Sequence, residues 1–297
     1  MDVRIIYIMG AGRSGSTVLE RTLDSSPKAF ALGEFHCLWR LPWAQILCSC
    51  GARLQECGFW SRTLEAAGFA GRDLERLRFF ENQIIRNRYL LYKRFSLRTL
   101  AQDPQCRAFL EIQSRLFDAI LHCSGADILI DSSKAGPRAW ILALDPQVGF
   151  LHIRRDAADT LFSSQRPKWD KATTALMRKR SLLGAAWDWF KVEHSSRLLA
   201  KHRLIKRLDY EKFTAAPKPA LNTVLGAEYR DLVDSIAWVN ETTVRPSAEY
   251  HSLQGNPDRY DKGLIRISFR EPILDGFSWT QRYAIKTTGM LLDSIYP

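Results

Sequence analysis

"IYIMGAGRSGSTVLERTL", residues 6–23, runs from an apolar stretch through a glycine-rich turn into a helical pattern. The apolar residues before Gly10 read as a short buried strand, and Leu19 and Leu23, four apart, mark one face of a helix over 17–25. Between them, Gly10 to Thr17 nearly spells the phosphate-binding pattern GxxxxGK[ST]. Ser16 stands where the lysine belongs, and a cation appears three places earlier as Arg13. Backbone N–H groups in such a turn, beside a helix N-terminus, cradle an anion. Ser16 and Thr17 add hydroxyls and Arg13 a charge, so the expected binding set is Gly12, Arg13, Ser14, Gly15, Ser16 and Thr17. In a nucleotide triphosphatase the lysine reaches the β- and γ-phosphates. Without it, the loop suits a shorter anion held near the arginine.

Three more apolar runs end in polar or glycine-rich residues: 28–32 before Gly33 and Glu34, 126–130 before Asp131 to Lys134, and 148–153 before Arg154 and Arg155. A weaker strand candidate spans 203–210. Helical patterns lie between, over 73–101, 105–123, 156–165 and 171–201, with Pro137 at the first position of another. Strands alternating with helices imply an α/β fold with a mostly parallel sheet, whose ligands bind beyond the carboxyl ends of the strands. The glycines, Glu34, Lys134 and the arginine pair all fall at such ends.

The chain has 297 residues, 46% of them apolar, enough for a sizeable core. One domain over 1–297, with about 60–125 as a helical cap, is expected. A net charge of +11 favours an anionic partner: nucleic acid, an acidic membrane surface, or an anionic cofactor or substrate. The basic residues recur along the chain, which argues against a separate nucleic-acid-binding arm. No stretch approaches the roughly 18 apolar residues of a membrane span, and the run before Gly10 is too short for a secretory signal. A soluble, cytoplasmic protein is expected. Cys37, Cys48, Cys50 and Cys57 hint at zinc, but the usual CxxC pair is missing and the site would need Cys37 or His36. Free thiols or one local disulfide, with no metal, is the expectation.

"GAGRSGSTVLERTL" resembles the 5′-phosphosulfate-binding loop of sulfotransferases that use 3′-phosphoadenosine 5′-phosphosulfate (PAPS). Arg155 and Ser163, eight residues apart, resemble the family's 3′-phosphate-binding pair. "ALGEFHCLW", "CSCGARLQECGFW" and "LIDSSK" resemble the bacterial-type and tyrosylprotein-like branches, and "HSLQGNPDRYDKG" resembles their closing loop. The resemblance implies a P-loop-like three-layer fold and transfer of a sulfonate from PAPS to a hydroxyl, or less readily an amine. It implies that Glu34 is the general base, with His36 as the alternative. Arg13 and Lys134 would offset charge on the sulfonate and the leaving phosphate, so no metal is required. Asn256 and Arg259, with Lys262 and Gly263 beside them, would cover the nucleotide.

Arg154 and Arg155 face opposite sides of a strand, so Arg154 is expected to pair with a carboxylate or meet solvent. Arg166 is a further candidate for the 3′-phosphate. Asp131 also fits the magnesium-organising aspartate of a kinase, which makes an ATP- and magnesium-dependent kinase or NTPase the main alternative. A basic nucleic-acid-binding protein is the second. Tyr89, Leu90, Tyr92 and Phe95 read as core, and the basic residues of 72–98 as a solvated face or an attractor of an anionic acceptor or membrane. A small molecule, glycan, lipid or peptide hydroxyl would all fit as acceptor.

Overall fold

Alternate residues of the first strand, β1 (Ile5–Met9), point to opposite faces of a sheet, and both faces are apolar. Ile5, Tyr7 and Met9 enter one core with Phe30, Leu32 and Phe150; Ile6 and Ile8 enter another with Ala31, Leu151 and Ile153. A strand covered on both sides reads as a continuous apolar run, which is why β1 is so legible in sequence. The computed structural model describes residues 3–83, 96–166, 169–170, 175–176, 180–269, 271 and 274–296.

The central sheet adds β2 (Ala29–Gly33), β3 (Ile128–Asp131), β4 (Val148–Arg154) and the strand Ile205–Asp209, in the order β2-β3-β1-β4 and then Ile205–Asp209. All four pairings are parallel. Helices cover both faces, giving three layers. Gly58–Ala66, Gly71–Gln83 and Pro104–Ser124 lie over the Tyr7 face, burying Trp60, Leu77, Phe80, Phe109 and Leu116. Helix α1 (Ser16–Asp24) and Pro217–Leu225 cover the other with Leu19, Leu23 and Leu221, beside a small antiparallel sheet of Trp238–Asn240, Thr243–Val244 and Ile265–Arg266. A third core joins Ala157–Ser164, Leu182–Leu199 and Trp279–Ile295 around Leu161, Trp189 and Ile285.

Two expected helices are corrected. The pattern over 73–101 is not one helix: after Gly71–Gln83, a separate helix starts at Leu97. Ser96 is extended there (φ −114°, ψ 141°) and its hydroxyl accepts the Thr99 N–H, so a strong N-cap outweighs the periodicity. Tyr89, Leu90, Tyr92 and Phe95 lie outside the described residues. The helix expected from 171 begins at Leu182, where Ser181 caps Gly184. Before it, Trp169–Asp170 pairs antiparallel with Ala175–Leu176.

Candidate active site

β1 lies between β3 and β4, which leave it in opposite directions, so a crevice opens where its chain exits. The exit is the glycine-rich loop. Gly15 is the N-cap of α1 in the left-handed region (φ 94°), with no side-chain cap on the helix. A Cβ there would lie 2.5 Å from the Tyr210 ring. The first N–H groups of α1 therefore keep their hydrogen-bonding capacity, and Gly15, Ser16, Thr17 and Val18 line a cleft of about 700 Å³. Among the described residues, Arg13, Arg40, Lys134, Arg166, Arg180 and Lys191 also line it, against two carboxylates, Glu34 and Asp188.

Three non-glycine residues have positive φ among the described residues: Arg13 (75°), Lys134 (62°) and Gln254 (44°). All three line this cleft. Left-handed backbone costs an L-residue about 1–2 kcal/mol, and such strain gathers where function demands a particular side-chain direction. Arg13 is steadied by a 3.4 Å bond from its Nη2 to the Arg166 carbonyl.

β2 ends at Gly33, where a Cβ would fall 2.2 Å from the Leu253 carbonyl oxygen. Leu253 is stitched on: its N–H donates to the Leu32 carbonyl (2.8 Å), and its carbonyl accepts the Glu34 N–H (2.8 Å). The next residues, Gln254, Gly255 and Asn256, form a wall of the cleft. Glu34 and His36 lie in the turn after β2, not on it, and both reach the cleft. Glu34 Oε1 is 2.9 Å from Lys134 Nζ. Burial opposes ionisation of Glu34, but Lys134, through its charge and its hydrogen bond, and then Arg259 outweigh it and hold the carboxyl below its ordinary value. Burial likewise opposes charge on Lys134, and Glu34 more than restores it. Burial, reinforced by Arg40, pushes the His36 imidazole down to about 3, so it stays neutral.

Of the expected set, Gly12, Arg13, Gly15, Ser16, Thr17, Glu34, Lys134 and Asn256 share the cleft, while Ser14, Arg155, Ser163 and Arg259 do not line it. Ser14 is buried under the loop, its hydroxyl turned toward Gly10. Arg155 rests against the loop from outside: Nη1 is 3.4 Å from the Arg13 carbonyl, and the guanidinium lies 4.8 Å over the Tyr210 ring. Its ion pair with Asp159 (3.7 Å) draws it along the helix face that carries Ser163 one turn further. Thr160 and Ser164 are the hydroxyls of this helix that reach the cleft. Arg259 is buried and holds its own loop, donating to the Gly255 carbonyl (2.8 Å) and to the Tyr260 hydroxyl. With Lys262 and Gly263 it lines a second cavity instead. Arg154 pairs with Asp293 at 2.8 Å, as its position on the strand implied. Arg166 lines the cleft, and its Nη2 donates to the Asp275 carbonyl (3.2 Å).

Asp131 is not available to organise magnesium. It is fully buried in a 2.8 Å pair with Arg138, itself fully buried, and it accepts the Ser133 N–H. Glu20 was not anticipated. It lies on α1 four residues after Ser16, buried, and accepts from the Ser132 hydroxyl and, at 3.4 Å, from Tyr250. Burial raises its carboxyl to about 7 against the Ser132 bond and Lys134. Only the i,i+4 offset from Ser16 places it on the loop-facing side.

The cysteines take the first of their two expected states, while their neighbour is not one that spacing offered. All six are free thiols, so no local disulfide forms. Cys37 lies with Glu34 and His36, and the residue that joins Cys48, Cys50 and Cys57 is His251.

The family described as "Sulfotransferase family" is matched over residues 6–227. No curated protein matches the chain. Among solved structures, the sulfotransferase STF9 from Mycobacterium avium is 15% identical, over 78% of this chain and 67% of that one, with a TM-score of 0.44. The sulfotransferase domain from the Curacin biosynthetic pathway is 14% identical over 96% of both chains, with a TM-score of 0.48. STF1 from Mycobacterium tuberculosis H37Rv is 13% identical over 79% and 71%, at 0.42.

Proposed function

The chain belongs to the sulfotransferase family, and from that premise we propose that it transfers a sulfonate from PAPS to an acceptor hydroxyl within a single domain. One observation carries the reading. The uncapped N-terminus of α1 and the two strained cations, Arg13 and Lys134, converge on one cleft that also holds Glu34.

The 5′-phosphosulfate fits the loop cradle, where N–H groups of Gly15, Ser16 and Thr17 meet an anion. Arg155 and Ser163, on one side of the loop, are assigned to the 3′-phosphate, and Asn256 to the nucleotide's cover. The acceptor oxygen attacks sulfur as the S–O bond to the 5′-phosphate breaks. Glu34 takes the acceptor proton. Arg13 and Lys134 face the negative charge that grows on the leaving phosphate oxygen, where fixed cations lower the barrier most. Glu34 and Lys134 are coupled in this scheme. While paired with Lys134, Glu34 is a weak base. An anionic sulfonate that engages Lys134 leaves burial to dominate at Glu34, raising its basicity when the acceptor is in place.

The test is thermal stabilisation by 3′-phosphoadenosine 5′-phosphate in magnesium-free buffer. At 100 times its dissociation constant a ligand stabilises the fold by about 2.7 kcal/mol. The expected shift is lost in Arg155→Ala. A shift seen only with ATP and magnesium, or only with DNA or RNA, would sink the assignment. Turnover of PAPS against panels of small-molecule, glycan, lipid and peptide hydroxyls then identifies the acceptor.

A further inference from the structure

Behind the cleft wall, three sulfurs and an imidazole nitrogen converge. Cys57 Sγ lies 3.7 Å from Cys50 Sγ and 3.8 Å from Cys48 Sγ. His251 Nδ1 lies 3.6 Å from Cys48 Sγ and 3.4 Å from Cys57 Sγ. All four ligand atoms fall within 4.8 Å of one another. A zinc ion with bonds of about 2.3 Å to sulfur and 2.0–2.1 Å to nitrogen has tetrahedral edges of about 3.8 Å (S to S) and 3.5 Å (S to N). Four of the six edges match these values, and the other two, Cys48 to Cys50 and Cys50 to His251, lie within 4.8 Å. A disulfide would need one S–S distance of about 2.0 Å, and no pair here is singled out.

The surroundings suit a metal. Cys50 and Trp60 direct backbone N–H groups at the Cys48 and Cys57 sulfurs. The His251 ring is fixed by stacking on Phe59, with centroids 4.9 Å apart and planes 12° apart. Its carbonyl accepts the Trp60 indole N–H at 2.8 Å. Cys48 and Cys57 are buried and Cys50 is exposed, so the site is closed on one side and open to ion entry on the other.

We propose that Cys48, Cys50, Cys57 and His251 bind one zinc ion, which clasps the loop 46–57 to the segment 250–253. Three thiols lose their protons and the imidazole stays neutral, leaving a closed Cys₃His site of the structural kind. The clasp bears on the cleft through one residue. Leu253, two places after His251, bridges Cys48 on one side and Gly33 on the other and accepts the Glu34 N–H. The ion thus positions the base turn and the wall Gln254 to Asn256 without touching substrate.

The full chain, purified from zinc-supplied medium, is assayed by elemental mass spectrometry, free-thiol titration and cobalt replacement. The expected result is about one zinc per chain. The cobalt form should show tetrahedral visible bands and a thiolate charge-transfer band. In Cys50→Ser, whose exposed position lets it fold, that charge-transfer band should fall by about a third and zinc affinity by tenfold or more. Cys123→Ser, outside the cluster, should leave both unchanged. Zinc removal should speed hydrogen exchange at the Glu34 and Leu253 amides. A folded chain with no zinc and no tetrahedral cobalt spectrum, or a disulfide among the three cysteines, would overturn the proposal. Either result leaves the sulfonate reading untouched, since nucleotide binding is measured separately.

Discussion

Glu34 has to be ionised to accept a proton, and its pairing with Lys134 keeps it so at any physiological pH. Glu34→Gln keeps the size but removes the proposed base, so kcat should fall about 10²–10⁴-fold while bisphosphate binding stays near that of the parent. His36→Gln should cost far less; an equal loss would shift the assignment to the imidazole. The same pair makes a pH prediction. The folded carboxyl titrates below its usual 4.5, so its contribution to stability is present above that value and drains away as pH falls through the lower folded value. Chemical denaturation of Glu34→Gln beside the parent should therefore show a deficit at pH 7 that closes in acid. A deficit that grew in acid would contradict the sign.

Where β3 meets α1, Glu20 carries the opposite sign. Its carboxyl is raised to about 7, so the folded state binds a proton that the unfolded chain has already lost, and stability falls as pH rises from the mid-fours to 7. A displacement of about two and a half pH units is worth about 3 kcal/mol. Glu20→Gln should match the parent near pH 5 and exceed it above pH 7 by up to that amount, read from urea midpoints. No gain at high pH would mean that Glu20 is ionised in the fold.

At this scale the limits of sequence reading are physical. β1 to β4 are legible because each is buried on both faces, whereas Ile205–Asp209 pairs only with β4, is half-buried, and gives a weak signal. The strand-end loops with Arg13, Glu34 and Lys134 follow from the fold class. Glu20 is hidden as one carboxylate on an amphipathic helix. His251 is hidden by its distance along the chain from the cysteines it joins, since spacing rules describe only local ligands. Ser96 was lost inside a helical pattern because a single hydroxyl ends it.

Across the molecule, charge and topology act together. The net charge of +11 is focused by a cleft whose described lining holds six arginines and lysines against two carboxylates. Binding of the anionic bisphosphate should therefore be steered. Raising sodium chloride through the range in which the Debye length shrinks from about 10 Å toward 3 Å should weaken binding several-fold, chiefly through a slower association rate in stopped flow. A salt-independent association rate would show that the cleft's charges are spent on their neighbours.

The strand order has a consequence for biosynthesis. β1 lies at the centre of the sheet, yet its two neighbours, β3 and β4, begin at Ile128 and Val148. The ribosome delivers about 5–20 residues per second, so the most apolar strand of the nascent chain waits several seconds or more for a partner. Until then "IIYIM" has neither face covered and both edges open, a sequence a chaperone would hold. The sheet's centre is thus made well before the strands that cover its edges.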